Sequence, residues 1–288
     1  MKGIKQMIKI FSDSTCDLSK ELIERYDIGI LPLHVLLGED EYIDGVNIDV
    51  DSIYKWADEN KTTPKTSAPS VDDAINCFKP FIDKGDHIIC FSVSQSMSAS
   101  YSVMNLAAEA LDAEDKIHVI DSANLSTGVG LLVLEAATMA AAQVSIADIV
   151  SHIEALKIRV KASFVVDTLT YLHRGGRCGA VAALAGGVLK LHPKIVVENG
   201  KMDATKKYRG KIVSVVMSYV KDMEDELIHS KKNRVFITHS GCDDNIVSEV
   251  KQYLEQLNHF DEILVTRAGA VISSHCGPGT LGVLFITE

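Results

Sequence analysis

The run His87-Ile-Ile-Cys-Phe-Ser-Val93 is continuously apolar until it breaks into alternating hydroxyls, F-S-V-S-Q-S-M-S-A-S-Y over residues 91–101, before helical spacing sets in from Ala99 to Leu111. A short unbroken apolar run followed by a helix reads as a strand covered on both faces, which points to an α/β fold built on parallel strands. The same unit recurs. Met7–Phe11 leads through S-D-S-T-C-D-L-S into a helix over Leu18–Tyr26, and Lys116–Asp121 leads through a polar turn into an apolar helix from Thr127. In open sheets of this kind, ligands bind outside the carboxyl ends of the strands, where the next helix offers free amides. Ser98 is placed to contact an anion there, with capping of the helix as the alternative. Asp13 and Ser14, at the end of the first strand, are candidates for the same cleft, with capping and turn formation as the alternative.

A chain of 288 residues exceeds the usual size of one core, so two domains are expected. Ile28–Leu37, broken by Pro32, turns at Gly38 and returns through Tyr42-Ile43 as a hairpin, with Pro32 favouring an edge. Asp49–Asn60 reads as a helix, and Lys61–Ser70 as a loop stiffened by two prolines that holds Thr66 and Ser67 in place. A helix over Ile146–Leu156 closes the first half. The second half opens with a strand over Ser163–Thr168 and the run L-H-R-G-G-R, where Arg174 and Arg177 could face an anion, a partner carboxylate or solvent. Gly179–Lys190 reads as a small-residue helix and Asn199-Gly200 as a hairpin turn. The basic run Lys206–Lys211 is expected to open a long helix to about Ile228, as either a docking patch or a solvated charged face. Asn233–Ser240, Asp243–Leu257 and Glu262–Arg267 make one more strand, helix, strand unit. The end is a glycine-rich turn, H-C-G-P-G with His275, before a terminal strand.

Several classes are disfavoured. With 29 basic against 39 acidic residues, a net charge of −10, the chain lacks the basic excess that nucleic acid or an anionic membrane surface wants. Six scattered cysteines without metal spacing fit reduced thiols in a cytosol. The N-terminus carries no secretory signal, and the apolar segment Gly128–Val144, interrupted by Glu135, reads as a buried helix rather than a membrane span. Gly128-x-Gly130 lacks the rest of a dinucleotide fingerprint, the ten histidines lack metal-site spacing, and no serine sits in a G-x-S-x-G elbow. Recognition of a small anion by hydroxyls, amides, an imidazole and an arginine is the simplest chemistry left.

In order along the chain stand S-D-S-T-C-D-L, K-T-S-A-P-S, S-M-S-A-S-Y, D-S-A-N-L-S, L-H-R-G-G-R and H-C-G-P-G-T-L-G-V. In this it resembles, over nearly its full length, the DegV family of fatty-acid-binding proteins. The resemblance implies a two-domain α/β fold. Residues 1–158 would form an N-terminal Rossmann-like three-layer α/β/α domain carrying the hydroxyl carboxylate site. Residues 159–288 would form a C-terminal two-layer α/β domain with a mixed sheet that covers the acyl chain. It implies one long-chain fatty acid held between the domains, no cofactor, a monomer in the cytoplasm without stable membrane insertion, and the role of non-catalytic lipid-binding subunit of a bacterial fatty acid kinase. A separate soluble kinase subunit would phosphorylate the carboxylate to an acyl phosphate. Matched residue by residue, Thr66 and Ser98 correspond to the hydroxyls on the carboxylate, His275 to the histidine beside the head group and Arg177 to the arginine of the G-G-R motif. Ser67, Asp13, Ser14 and Arg174 stand behind them, and Arg209 corresponds to an arginine of kinase contact. Ala99 and Ala68 depart from the family's usual glycine and glutamine. The alternatives are a serine esterase pairing Ser98 with His275, and a lipid-responsive regulatory sensor docking through Lys206–Lys211.

Overall fold

The computed structural model describes residues 7–179 and 191–288. β1 (Ile8–Asp13) runs into a 3-10 turn over Ser14–Cys16 and helix α1 (Lys20–Arg25), capped by Ser19, and then β2 (Gly29–Leu31). Pro32 separates β2 from a hairpin of β3 (His34–Leu37) and β4 (Asp40–Ile43), which enters a different sheet. After α2 (Val50–Asn60), the stretch expected to be a loop instead contributes β5 (Lys65–Ser67), paired antiparallel to β3 with Val35 opposite Thr66. Helix α3 (Val71–Ile82), closed by a Ser70/Asp73 capping box, leads to β6 (His87–Ser92), α4 (Ser100–Ala110), β7 (Ile117–Asp121), α5 (Thr127–Ala141) and α6 (Ile146–Leu156).

Strands β2-β1-β6-β7 form an all-parallel sheet, and β4-β3-β5 form a small antiparallel one. Alternation along the parallel strands divides their side chains between two layers. Phe11, Leu31, Ile88, Cys90 and Ile117 pack with Phe78 of α3 and Met104 of α4, while Ile10, Ile89, Phe91 and Ile120 face α5.

In the second half, β8 (Val160–Val165) is followed by a short α7 (Thr170–Gly175) where an extended strand and a loop were expected. The helix expected over Gly179–Lys190 lies outside the described residues, apart from Gly179. β9 (Leu191–Glu198) and β10 (Lys201–Arg209) form the hairpin around Asn199 and Gly200, whose φ angles of 49° and 75° suit a two-residue turn. The basic run is therefore strand, not helix: Lys206–Arg209 ends β10, and α8 (Ile212–Lys221) and α9 (Glu224–Ile228) follow as two helices. β10 is an edge strand, where charges prevent pairing with other chains, so its lysines obscure the strand pattern. β11 (Val235–Ser240), α10 (Asp244–Gln256) and β12 (Ile263–Arg267) form the expected parallel unit. The expected terminal turn is preceded by another short helix, α11 (Ala270–Cys276), before β13 (Thr280–Ile286).

The resulting six-stranded mixed sheet has the order β10-β9-β8-β13-β11-β12. One face carries α8, α9 and α10, packed through Val216, Tyr219, Leu227, Val250 and Leu254. The other face meets α5. The first two turns of this helix are buried on all sides, and Val129, Leu131, Leu132, Val133 and Leu134 share one core with β1, β6 and β7 on one side and with Ala162, Phe164, Ile195, Phe236 and Leu284 on the other. Glu135 leaves this core and meets His152 at 3.1 Å and Lys231 at 3.9 Å. Leu132→Ala therefore opens a cavity between both sheets and is expected to cost about 2–5 kcal/mol in urea unfolding.

Candidate functional site

Where the carboxyl ends of β1, β6 and β7 approach β11 and β13, a cavity of about 270 Å³ opens. Its apolar wall comes from Leu33, Val93, Met97, Leu125, Phe164, Leu172, Met202, Val271, Ile272 and Leu284. Hydroxyls also line it, but most are occupied by neighbouring groups. Thr15 donates to Asp13 at 2.6 Å, Ser126 to Asp17 at 2.5 Å, Ser240 to the Gly277 carbonyl at 2.8 Å and Thr280 to the Cys276 carbonyl at 2.9 Å. Thr238 is shared between Thr127 and Thr266. With their donors spent, these residues offer the cavity mainly carbon.

A further set of polar groups lines the cavity. Thr66, on β5, lies 2.7 Å from Nε2 of His275, so a hydrogen bond joins residues 209 positions apart. The His275 Nδ1 is buried and has no hydrogen-bond partner among the described residues, and it presses so closely on Gly175 that a Cβ there would come within 2.5 Å of it. Arg177 donates to the Gly175 carbonyl at 2.7 Å and lines the cavity with an exposed side chain. Burial, and secondarily the Arg177 charge, push the His275 pKa down to about 4, so the imidazole is neutral near pH 7. Ser98 and Ser67 line the same cavity. The Ser98 Oγ accepts from the Ser100 amide at 3.3 Å and pairs with the Ser100 hydroxyl at 2.9 Å, while α4 itself has Ala99 at its cap and no side-chain cap bond. Ala99 has φ −80°, so alanine meets the backbone's needs here without strain, and Ala68 lies on the cavity wall.

Other residues singled out from the sequence stand elsewhere. Asp13 is behind the wall, where its carboxylate accepts from the Thr15 and Val93 amides and links the ends of β1 and β6. The Ser14 hydroxyl accepts from the Leu33 amide. Arg174 is exposed on α7 and Arg209 on β10, and neither lines the cavity. An esterase needs a carboxylate to orient the histidine and a histidine that reaches the serine. Among the described residues, no carboxylate bonds His275, and its Nε2 meets Thr66 rather than Ser98.

Sequence reasoning passed over the groups that hold α11 in place. Asp17 accepts from the Gly269 amide at 2.8 Å and Asp44 from the Ala270 amide at 2.9 Å, so two carboxylates from the first half satisfy the start of the helix that carries His275. Tyr54 of α2 adds hydrogen bonds to Ser240 and the Ser273 carbonyl, and Asp51 pairs with Arg267. Asp17 was visible within S-D-S-T-C-D, but its partner lies 252 residues away.

These geometries define a class: an α/β protein whose two larger sheets enclose an apolar cavity that carries a separate cluster of polar groups. The chain belongs to the DegV family, described as an uncharacterised protein family, whose profile matches residues 7–288. A DegV domain-containing protein of Clostridium perfringens is 32% identical over 98% of this chain and 99% of its own. Among solved structures, a DegV family protein from Thermus thermophilus, described for its fatty acid binding, is 29% identical with a TM-score of 0.90, covering 98% of this chain and all of that one. A stearic acid-binding protein from Eubacterium ventriosum is 32% identical with a TM-score of 0.84, covering 98% of both chains.

The buried acids make stability depend on pH. Burial raises the carboxyl of Asp13 to about 6 and that of Asp17 to about 8, and it raises Asp44 as well. A group whose folded pKa is raised contributes stability that is full below its unfolded value, about 4, and is lost as pH climbs through the folded value. The melting midpoint should accordingly fall as pH rises, through the Asp13 contribution up to 6 and the Asp17 contribution up to 8. Each kcal/mol lost lowers it by roughly 2–4 °C in a chain of this size. Thermal melts of Asp17→Asn should show a smaller fall between pH 5 and pH 9 than those of the wild type.

Proposed function

We propose that this chain binds one long-chain fatty acid in the cavity and presents its carboxylate to a separate kinase subunit, which phosphorylates it to an acyl phosphate. The cavity supports this reading: Thr66, Ser98, His275 and Arg177 line it together beside an apolar wall. An alkyl chain gains about 0.8 kcal/mol for each buried methylene, so the wall supplies affinity and the polar cluster supplies orientation. Hydroxyls and a neutral imidazole can satisfy a carboxylate without fixing it in a bidentate ion pair, which keeps an oxygen free to act as nucleophile. The fatty-acid-binding relatives from Thermus thermophilus and Eubacterium ventriosum support the ligand class. In this reading residues 1–158 supply the hydroxyl site and residues 159–288 cover the acyl chain, within a single chain that works in the cytoplasm without a cofactor. Scattered cysteines without metal spacing suit that compartment.

The kinase role rests on the motif resemblance and on the basic end of β10. Lys206 is engaged with Asp222, whereas Lys207 and Arg209 are exposed and form no ion pair among the described residues. They would meet an acidic surface of the kinase subunit.

Titration with stearate tests the ligand. Saturable one-to-one binding is expected, with Thr66→Val and Ser98→Ala each weakening it by about 10–100-fold, the worth of a hydrogen bond to a charged group. A wild-type protein that fails to bind any long-chain fatty acid refutes the reading. Arg209→Glu should leave stearate affinity unchanged and abolish kinase-dependent formation of acyl phosphate; unchanged phosphorylation would remove β10 from the partner contact.

A further inference from the structure

The wall residue Ser126 has a backbone that serine rarely adopts, with φ 53° and ψ −144° immediately before α5. This is close to territory left almost wholly to glycine, and such conformations persist only where surrounding contacts enforce them. Here the side chain is buried, and its hydroxyl donates to Oδ2 of Asp17 at 2.5 Å. The other oxygen of Asp17 accepts the Gly269 amide, one residue before α11. Gly269 is suited to this position because a Cβ there would lie 3.3 Å from Asp17 Oδ1 and from both oxygens of Asp44. Beyond it, a helix of seven residues ends one position after His275, whose ring meets Thr66.

A continuous path of short polar contacts and one rigid helix thus runs from the apolar wall to the imidazole. We propose that Asp17 is a positioning residue for the head-group cluster, coupling the strained wall residue Ser126 to the helix that places His275. An acyl chain seated against Ser126 then acts on the imidazole through this path, in addition to any direct contact of the head group with His275. That consequence rests on the fatty-acid reading; the coupling itself does not. Asp44 holds the next amide but does not bond Ser126, so it anchors the helix without reading the wall. The titratable groups facing Asp17 are Asp13, Asp44, Cys16 and Cys276.

The test follows the ring nitrogens and carbon-bound protons of His275 by NMR in the full-length, ligand-free protein, the signal being assigned by its loss in His275→Gln. Ser126→Ala removes the hydroxyl and should shift the His275 ring signals in the same direction as Asp17→Asn, with the double variant shifting them no further. The wild-type ring signals should also move as Asp17 titrates, with an inflection that Asp17→Asn abolishes and Asp44→Asn retains. An unmoved His275 in Ser126→Ala, or fully additive shifts in the double variant, overturns the coupling. Should Asp17→Asn fail to fold, Ser126→Gly, which removes the hydroxyl and relieves the backbone together, carries the same comparison. Added stearate should move the His275 signals in the wild type and move them less in Ser126→Ala. A wild type that takes up no stearate refutes the ligand, while the ligand-free spectra still decide the coupling.

Discussion

Helix α5 sets the geometry on which everything else depends. Its apolar residues pack against the parallel sheet on one side and the six-stranded sheet on the other, so it fixes the spacing of the two halves. Burial of its first two turns on every side leaves the helix no alternative partner, and the dense packing of a core keeps it from shifting gradually. Because Leu125 and Ser126, the two residues just before it, line the cavity wall, the same packing that joins the halves also positions the cavity.

The polar cluster is assembled by a second, smaller set of constraints. Thr66 is held by the pairing of β5 with β3, and His275 by α11, whose first amides are satisfied by Asp17 and Asp44. β3, which pairs with β5, meets α11 in one satellite core, in which Leu33, Val35 and Leu37 pack with Ile53, Ala270 and Val271. Carboxylates buried there cost energy unless hydrogen-bonded, and the amides before and within α11 provide those bonds. Among the described residues, Arg177 is the charge that acts on His275.

Periodicity made the large elements legible. The parallel strands, α5, the Asn199-Gly200 hairpin and the unit β11-α10-β12 follow from apolar runs and turn residues that are local in sequence. What was not legible has a common cause in long-range contact. The three residues of β5 are a strand only because β3 lies beside them, and α11 is too short to form by propensity without Asp17 and Asp44. Lys206–Arg209 concealed a strand because only Tyr208 in that run is buried, with the charges lying on an exposed edge. The site was legible as a set of residue types and motifs, but the meeting of Thr66 with His275 is a product of the fold.

Occupancy of the cavity by a fatty acid is open to native mass spectrometry of the protein purified from its own cells, followed by organic extraction. One fatty acid per chain, released on extraction, is expected. A protein that is isolated empty and takes up no added fatty acid would contradict it.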